Sequence, residues 1–329
     1  MSYKKTLKNI NEFFPLQAGN MELPRLIQKG QVAFEENSPK TDSPWIKTNK
    51  SQNKHFIDNL SHIPEEGLES NEVIVESVKY FFNNIPNWRS PELQYNICAP
   101  VNVVAGTLMS LSQEYNIHNI NNNFSGDCLL AEKTISNMMA DLIDLDANKV
   151  KAIFSFGGTA SNLYGMKLAI HKSFPKTGTK GINKNTYVMI TEGAHFSHKT
   201  AADWLGIGTD QVITISQNLD CKSNILDAKE KAQKIIKAGG KIAGFLLNGG
   251  TLYDTAVDDI QEFDDLRREL VTKFNLDYLP HIHVDSVIGW IWLMFNKYNF
   301  EKNPLEIPEN ELKKIEKQFK NIYKIRLAD

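Results

Sequence analysis

Three cysteines in 329 residues, Cys98, Cys128 and Cys221, are too few and too scattered for a disulfide framework or a paired metal knuckle. Such sparse usage fits a reducing compartment, and a cytoplasmic location is expected. Charge of one sign is lacking as well. Lys and Arg total 37 against 39 Asp and Glu, so no basic surface for nucleic acid is legible. Long apolar runs are missing: the longest, 287–295, falls far short of the ~20 residues that span a bilayer. The opening Met1-Ser2-Tyr3-Lys4-Lys5 leads into a polar stretch without a signal-peptide pattern. These absences leave an ordinary globular composition, 41% apolar, with no partner expected among nucleic acids or membranes.

The first sixty residues are punctuated by Pro15, Pro24, Pro39 and Pro44 and read as an irregular arm with short helices. A helix is expected over 69–83, with Val73, Val75, Val78, Phe81 and Phe82 on one side and Pro86 ending it. Further helices are expected over 105–115 and 126–145. The second of these carries a stripe of Leu129, Leu130, Ile135, Met138, Met139, Leu142 and Ile143 that should be buried. Short apolar runs at 151–156, 187–191, 212–215, 242–247 and 282–285 then alternate with helical stretches at 161–171, 199–205, 227–237 and 262–274. Strand-helix alternation points to an α/β domain with a mostly parallel sheet covered by helices on both faces. A charged helix over 308–327 keeps an apolar stripe and should dock on the rest. The expected division is an arm at 1–90 and a large domain at 91–329.

Four short pieces fall at the ends of these predicted strands, where such sheets bind ligands. Gly157-Gly158-Thr159 sits between a strand and a helix. Its glycines let backbone approach a ligand, the helix start offers free N–H groups, and Thr159 and Ser161 add hydroxyls. A phosphate suits it; a plain strand-to-helix turn with a hydroxyl cap would look the same. His195 follows the strand ending at Thr191 and could stack on a flat ring or move protons, or be a loop histidine without a task. Asp285 ends another strand, where its carboxylate could hold a pyridine nitrogen protonated or cap the next turn. Gly249-Gly250-Thr251 could admit a ligand against the backbone or simply turn the chain.

Taken in order, the runs Ser155-Phe156-Gly157-Gly158-Thr159-Ala160-Ser161-Asn162-Leu163, Ala194-His195-Phe196-Ser197 and Ile282-His283-Val284-Asp285-Ser286 are specific. They resemble the group II pyridoxal-phosphate-dependent amino-acid decarboxylases, which act on glutamate, aromatic amino acids, histidine or diaminobutyrate. The likeness runs from about Asn96 to Asp329. It implies a fold-type I transferase-like large domain, pyridoxal 5'-phosphate as cofactor, an amino-acid substrate and a dimer. Gly158 and Thr159 would hold the phosphate, His195 would stack on the ring and help position substrate, and Asp285 would pair with the pyridine nitrogen. Ser286 stands where the family has an alanine beneath the ring, and Ala160 replaces a common glutamate. Thr251 would be a further contact, and Asn96 and Pro100 would lie on the substrate side.

The family's Asp-x-His-Lys run, whose lysine anchors the cofactor, occurs nowhere in the sequence. The expectation is therefore a fold incomplete at its carboxyl end, inactive by itself, with the lysine supplied by a second polypeptide of a split or interrupted enzyme. Two other readings stay open. His281, His283 and Asp285 alternate along one strand and, with His195 and His198, could serve a metal-dependent hydrolase. A catalytically dead scaffold that binds a homologous partner would need neither ligand.

Overall fold

The computed structural model describes residues 21–37, 43–46, 69–88, 90–92, 101–118 and 121–329. The chain divides into two compact units, Met1–Gly126 and Asp127–Asp329.

In the first unit, α1 (Glu22–Asn37) packs on α2 (Ser70–Phe81), with Phe34 edge-on to Phe82 at 6.3 Å between ring centroids. A two-residue antiparallel ribbon pairs β1 (Trp45–Ile46) with β2 (Ile85–Pro86). The helix stops at Phe81, short of the expected end at 83 and ahead of Pro86, which lies in that ribbon. The apolar side of α2 is only partly covered, since Val73, Phe81 and Phe82 remain exposed. Next, α3 (Val103–Glu114) starts at Asn102, whose side-chain oxygen accepts the N–H groups of Val104 and Ala105 and satisfies two orphan donors. The one-turn α4 (Asn122–Ser125) closes the unit.

The second unit opens with α5 (Cys128–Leu142), α6 (Gly158–Ser173) and the single turn α7 (Thr177–Lys180). It continues as β3 (Thr186–Thr191), α8 (Ser197–Trp204), β4 (Val212–Ile215), α9 (Ile225–Lys237), β5 (Lys241–Asn248), α10 (Ile260–Phe274) and β6 (His281–Asp285). The four strands form one parallel sheet in the order β4-β3-β5-β6. The order turns back on itself between β3 and β5, and the carboxyl ends of strands at such a point are where sheets of this kind form a ligand crevice.

Strand alternation sorts the core onto the two faces. Met189, Phe245, Leu247 and Ile282 point to one side, where they meet Phe263, Leu266 and Leu270 of α10 and Ala228 and Ala232 of α9. Val188, Ile190 and Leu246 point to the other, against Met166 and Ile170 of α6 and Ala201 and Ala202 of α8. Phe245 and Phe263 are fully buried with ring centroids 5.4 Å apart, and burial of each is worth ~2–3 kcal/mol. Helix α11 (Glu309–Ile322) docks through Ile322 on Val257 and Leu293, and Phe319 stacks on Phe300.

Two expectations are overturned. The run 151–156 is not a strand; Ile153, Phe154 and Phe156 are exposed, and the Phe154 N–H is taken by Glu132 Oε1 at 2.8 Å. A strand exists only by pairing, and among the described residues no neighbour pairs with it. The stripe on α5 is mostly exposed as well, at Leu130, Ile135, Met138 and Met139. Only its carboxyl end, Leu142 and Ile143, reaches the cluster around Leu293.

Candidate functional site

The crevice side of the sheet is knit together by one buried carboxylate. Asp258 accepts the N–H of Asn248 at the end of β5 (2.7 Å), the N–H of Ser223 (2.7 Å) and the hydroxyl of Thr191 at the end of β3 (3.0 Å). Thr191 and Ser223 share a further hydroxyl–hydroxyl bond of 2.5 Å. Burial pushes the Asp258 carboxyl above its usual range, against the pull of its donors. Nothing in the sequence singled out this residue. Its signal is weak: one Asp after a glycine-rich turn.

Above that frame, α6 begins at Gly157, whose φ of 118° is a conformation reserved for glycine. The helix has no side-chain cap at this end, so the N–H groups of its first turn and its positive dipole end face outward. Thr159 lies in that turn. The Ser161 hydroxyl is committed elsewhere, 2.7 Å from the Ser155 hydroxyl, so it is not the free donor the sequence suggested.

One helical turn on, Asn162 is buried and makes three hydrogen bonds. Its amide nitrogen donates to Asp285 Oδ2 (2.8 Å) and to Ser197 Oγ (2.9 Å), and its oxygen accepts from His283 Nε2 (3.0 Å). Ser197 Oγ lies 2.8 Å from His195 Nδ1. His195, Ser197, Asn162 and Asp285 therefore form a single chain of hydrogen bonds linking the His195 loop, α6 and the end of β6. Gly165, three residues beyond Asn162, gives room to the ring of His283; a Cβ there would lie 2.4 Å from its Nδ1.

Burial dominates the titration of the neighbouring imidazoles. His198 is driven down to about 4 by desolvation, with Asp285 pulling up and His195 pushing down. His283 is likewise brought to about 4 by burial, then by His198. Neither ring nitrogen of His198 has a hydrogen-bond partner among the described residues. Its Nε2 stands 3.7 Å from Asp285 Oδ2, which is an ion pair only for a charged ring. With burial holding the ring neutral, the contact is dipolar at neutral pH.

The other expected site residues are placed as follows. Ser286 donates to the Gly249 carbonyl (3.3 Å), and the Gly249 N–H donates to the Asp285 carbonyl (2.7 Å), which seats the Gly249-Gly250-Thr251 turn beside β6. Thr251 is buried, its hydroxyl accepting the N–H of Ala256 (2.9 Å) across its own turn, and it does not join the chain of bonds around Asp285. Asn96 and Pro100 lie outside the described residues. His281, His283 and Asp285 do alternate on one face of β6, yet the face is covered by α6 and the three do not turn to one point. His281 lies 3.3 Å from Asp329 Oδ2, whereas His283 and Asp285 turn to Asn162. Among the described residues no three His, Cys, Asp or Glu converge as metal ligands, so the hydrolase reading loses its ligand set.

An uncapped helix start, an exposed imidazole after β3 and an oriented carboxylate at the end of β6 lie on the same side of the sheet's carboxyl ends. The donor set fits pyridoxal phosphate. The fold is that of the fold-type I pyridoxal-phosphate decarboxylases. The glutamate decarboxylase domain of diaminobutyrate-pyruvate transaminase and L-2,4-diaminobutyrate decarboxylase from Vibrio parahaemolyticus superposes with a TM-score of 0.70 at 19% identity, over 85% of this chain and 60% of that one. Mouse CSAD in its apo form gives 0.68 at 17%, over 82% and 56%. Oryza sativa TDC with PLP and tryptamine gives 0.65 at 15%, over 82% and 55%. This chain thus spans less than two thirds of each. The pyridoxal-dependent decarboxylase conserved domain matches residues 54–303, and the chain belongs to that family. No helix among the described residues is long and apolar enough to cross a membrane.

Proposed function

We propose that this chain forms the cofactor-binding part of an amino-acid decarboxylase that releases an amine and carbon dioxide. The observation that carries the reading is the unbroken run of hydrogen bonds from His195 through Ser197 and Asn162 to Asp285, next to an uncapped helix start.

The N–H groups of Gly158 and Thr159 would hold the phosphate. The imidazole of His195 would lie over the ring, Asp285 would hold the pyridine nitrogen protonated through a charge-assisted bond, and Ser286 would pack beneath. Thr251 would border the ring, and Asn96 and Pro100 would face the substrate. The chemistry that pyridoxal phosphate would supply there is an electron sink for decarboxylation. Asp285 would hold the ring nitrogen protonated, and Asn162 keeps Asp285 aimed. We assign the anchoring lysine to a segment or second polypeptide other than these 329 residues, so this chain alone binds cofactor noncovalently and turns over negligibly. Exposed Phe154, Phe156 and Met138 support assembly into a dimer or with that partner.

The test is titration of the purified chain with pyridoxal phosphate, followed by absorbance, together with a carbon dioxide and amine assay across the common amino acids. Saturable binding without turnover is expected. Absence of binding would refute the cofactor reading, and robust amine formation would refute the assignment of the lysine elsewhere.

A further inference from the structure

The hydrogen-bond chain has a direction, and the direction fixes a proton. A carboxylate only accepts, so the amide nitrogen of Asn162 must be the atom 2.8 Å from Asp285 Oδ2. The second proton of that nitrogen goes to Ser197 Oγ at 2.9 Å. The Asn162 oxygen, left as acceptor, takes its proton from His283 Nε2 at 3.0 Å. Ser197 Oγ accepts there and lies 2.8 Å from His195 Nδ1. The Ser197 backbone N–H reaches the same nitrogen at 3.3 Å. A backbone N–H only donates, so Nδ1 is bare and accepts, the Ser197 hydroxyl gives its proton to the same nitrogen, and the ring proton of neutral His195 sits on Nε2.

We propose that Ser197 and Asn162 are positioning residues that lock His195 as its Nε2–H tautomer and tie its ring to the carboxylate of Asp285 in one frame. Both are buried, Ser197 fully, so no water competes for these bonds. An amide does not pass protons along at neutral pH, so the chain sets orientation and does not conduct. His195 is exposed and its Nε2 has no partner among the described residues. The crevice is therefore offered a hydrogen-bond donor by this imidazole, and not a base. Resting on the function proposed above, that donor suits an anionic oxygen, of which the carboxylate of an amino-acid substrate is the chemical match.

The experiment uses the full chain without cofactor, labelled with 15N histidine, at about pH 9, where ordinary imidazoles are neutral. Long-range 1H–15N correlation distinguishes protonated from bare ring nitrogens, and a His195→Gln spectrum assigns the signal. In the unaltered chain, Nδ1 of His195 is expected to be bare. Ser197→Ala removes one donor, and the Nε2–H to Nδ1–H ratio should fall about tenfold. Ser197→Thr, which keeps the hydroxyl, should restore the ratio. Asn162→Ala frees the Ser197 hydroxyl to rotate and should give an intermediate value. A protonated Nδ1 in the unaltered chain overturns the proposal even if no variant folds, and so does a ratio unmoved by Ser197→Ala. Since no cofactor enters this measurement, failure to bind pyridoxal phosphate would sink the functional reading and leave the tautomer lock standing, and the reverse holds equally.

Discussion

Asn162 and Asp285 lie 123 positions apart in sequence, and their side chains meet at 2.8 Å. The bond pins the first turns of α6 to the end of β6, the two elements that carry the helix start and the carboxylate. Its cost and benefit sit in one place. An asparagine buried in a helix is a poor helix former, and only three hydrogen bonds to fixed partners make it tolerable there.

Asp285→Asn keeps the shape of that contact and removes the charge. Affinity for pyridoxal phosphate should fall by at least tenfold, since a charge-assisted hydrogen bond is worth ~1.5–3 kcal/mol. Absorbance titration measures it, and unfolding in urea should show that the fold survives. An unchanged affinity would remove Asp285 from the ring-nitrogen role.

Gly165→Ala puts a methyl group 2.4 Å from His283 Nδ1. The ring has to move, and with it the bond it gives to Asn162. We expect a loss of ~1–3 kcal/mol in stability from overpacking, visible as a lower urea midpoint with an unchanged slope. Weaker cofactor binding should accompany it, because the displaced imidazole drags the amide that aims Asp285.

Asp258→Ala leaves two backbone N–H groups and the Thr191 hydroxyl without their acceptor in a dry interior. Each orphaned donor costs ~1–3 kcal/mol, so a loss of at least ~3 kcal/mol is expected. Chemical denaturation checks the number. Hydrogen exchange at Asn248 and Ser223 should accelerate locally before global unfolding sets in.

Acid should weaken the fold through His198 and His283. Both titrate near 4 when folded and at about 6.5 when unfolded. Between those values the unfolded chain binds protons that the folded one refuses, so stability is full above pH ~6.5 and falls as the pH drops toward ~4. One such histidine accounts for ~3 kcal/mol across the window. His198→Leu should flatten urea stability against pH over this range; an unaltered slope would mean that His198 is solvated.

Several elements could be read directly from pattern. The strand Val212–Ile215 is found as expected, and β3, β5, β6 and the helices between them match within a few residues. Fully buried apolar runs in a parallel sheet leave little ambiguity. The run 151–156 has the same composition but no partner strand among the described residues, and composition alone does not reveal pairing. At the site, glycines, an imidazole and a carboxylate announce themselves by residue type. Asn162 and Ser197 do not, although both lie inside the quoted runs. Their role exists only through contacts between α6, the His195 loop and β6, and a sequence does not display the distance between positions 162 and 285. His198 was legible only as a possible metal ligand; its burial beside Asp285 is a product of the packing of α8 on α6.

The buried surroundings of Asp285 also determine what the crevice selects. The Asn162 amide and the Val287 N–H hold the carboxylate in place, and dipoles of this kind orient a negative charge without cancelling it. Under the function proposed above, the full attraction would be available to an incoming group that bears a positive charge on a ring nitrogen. A neutral isostere of that heterocycle, of equal size and shape, would leave the charge uncompensated and should be rejected on electrostatic grounds before any question of steric fit arises.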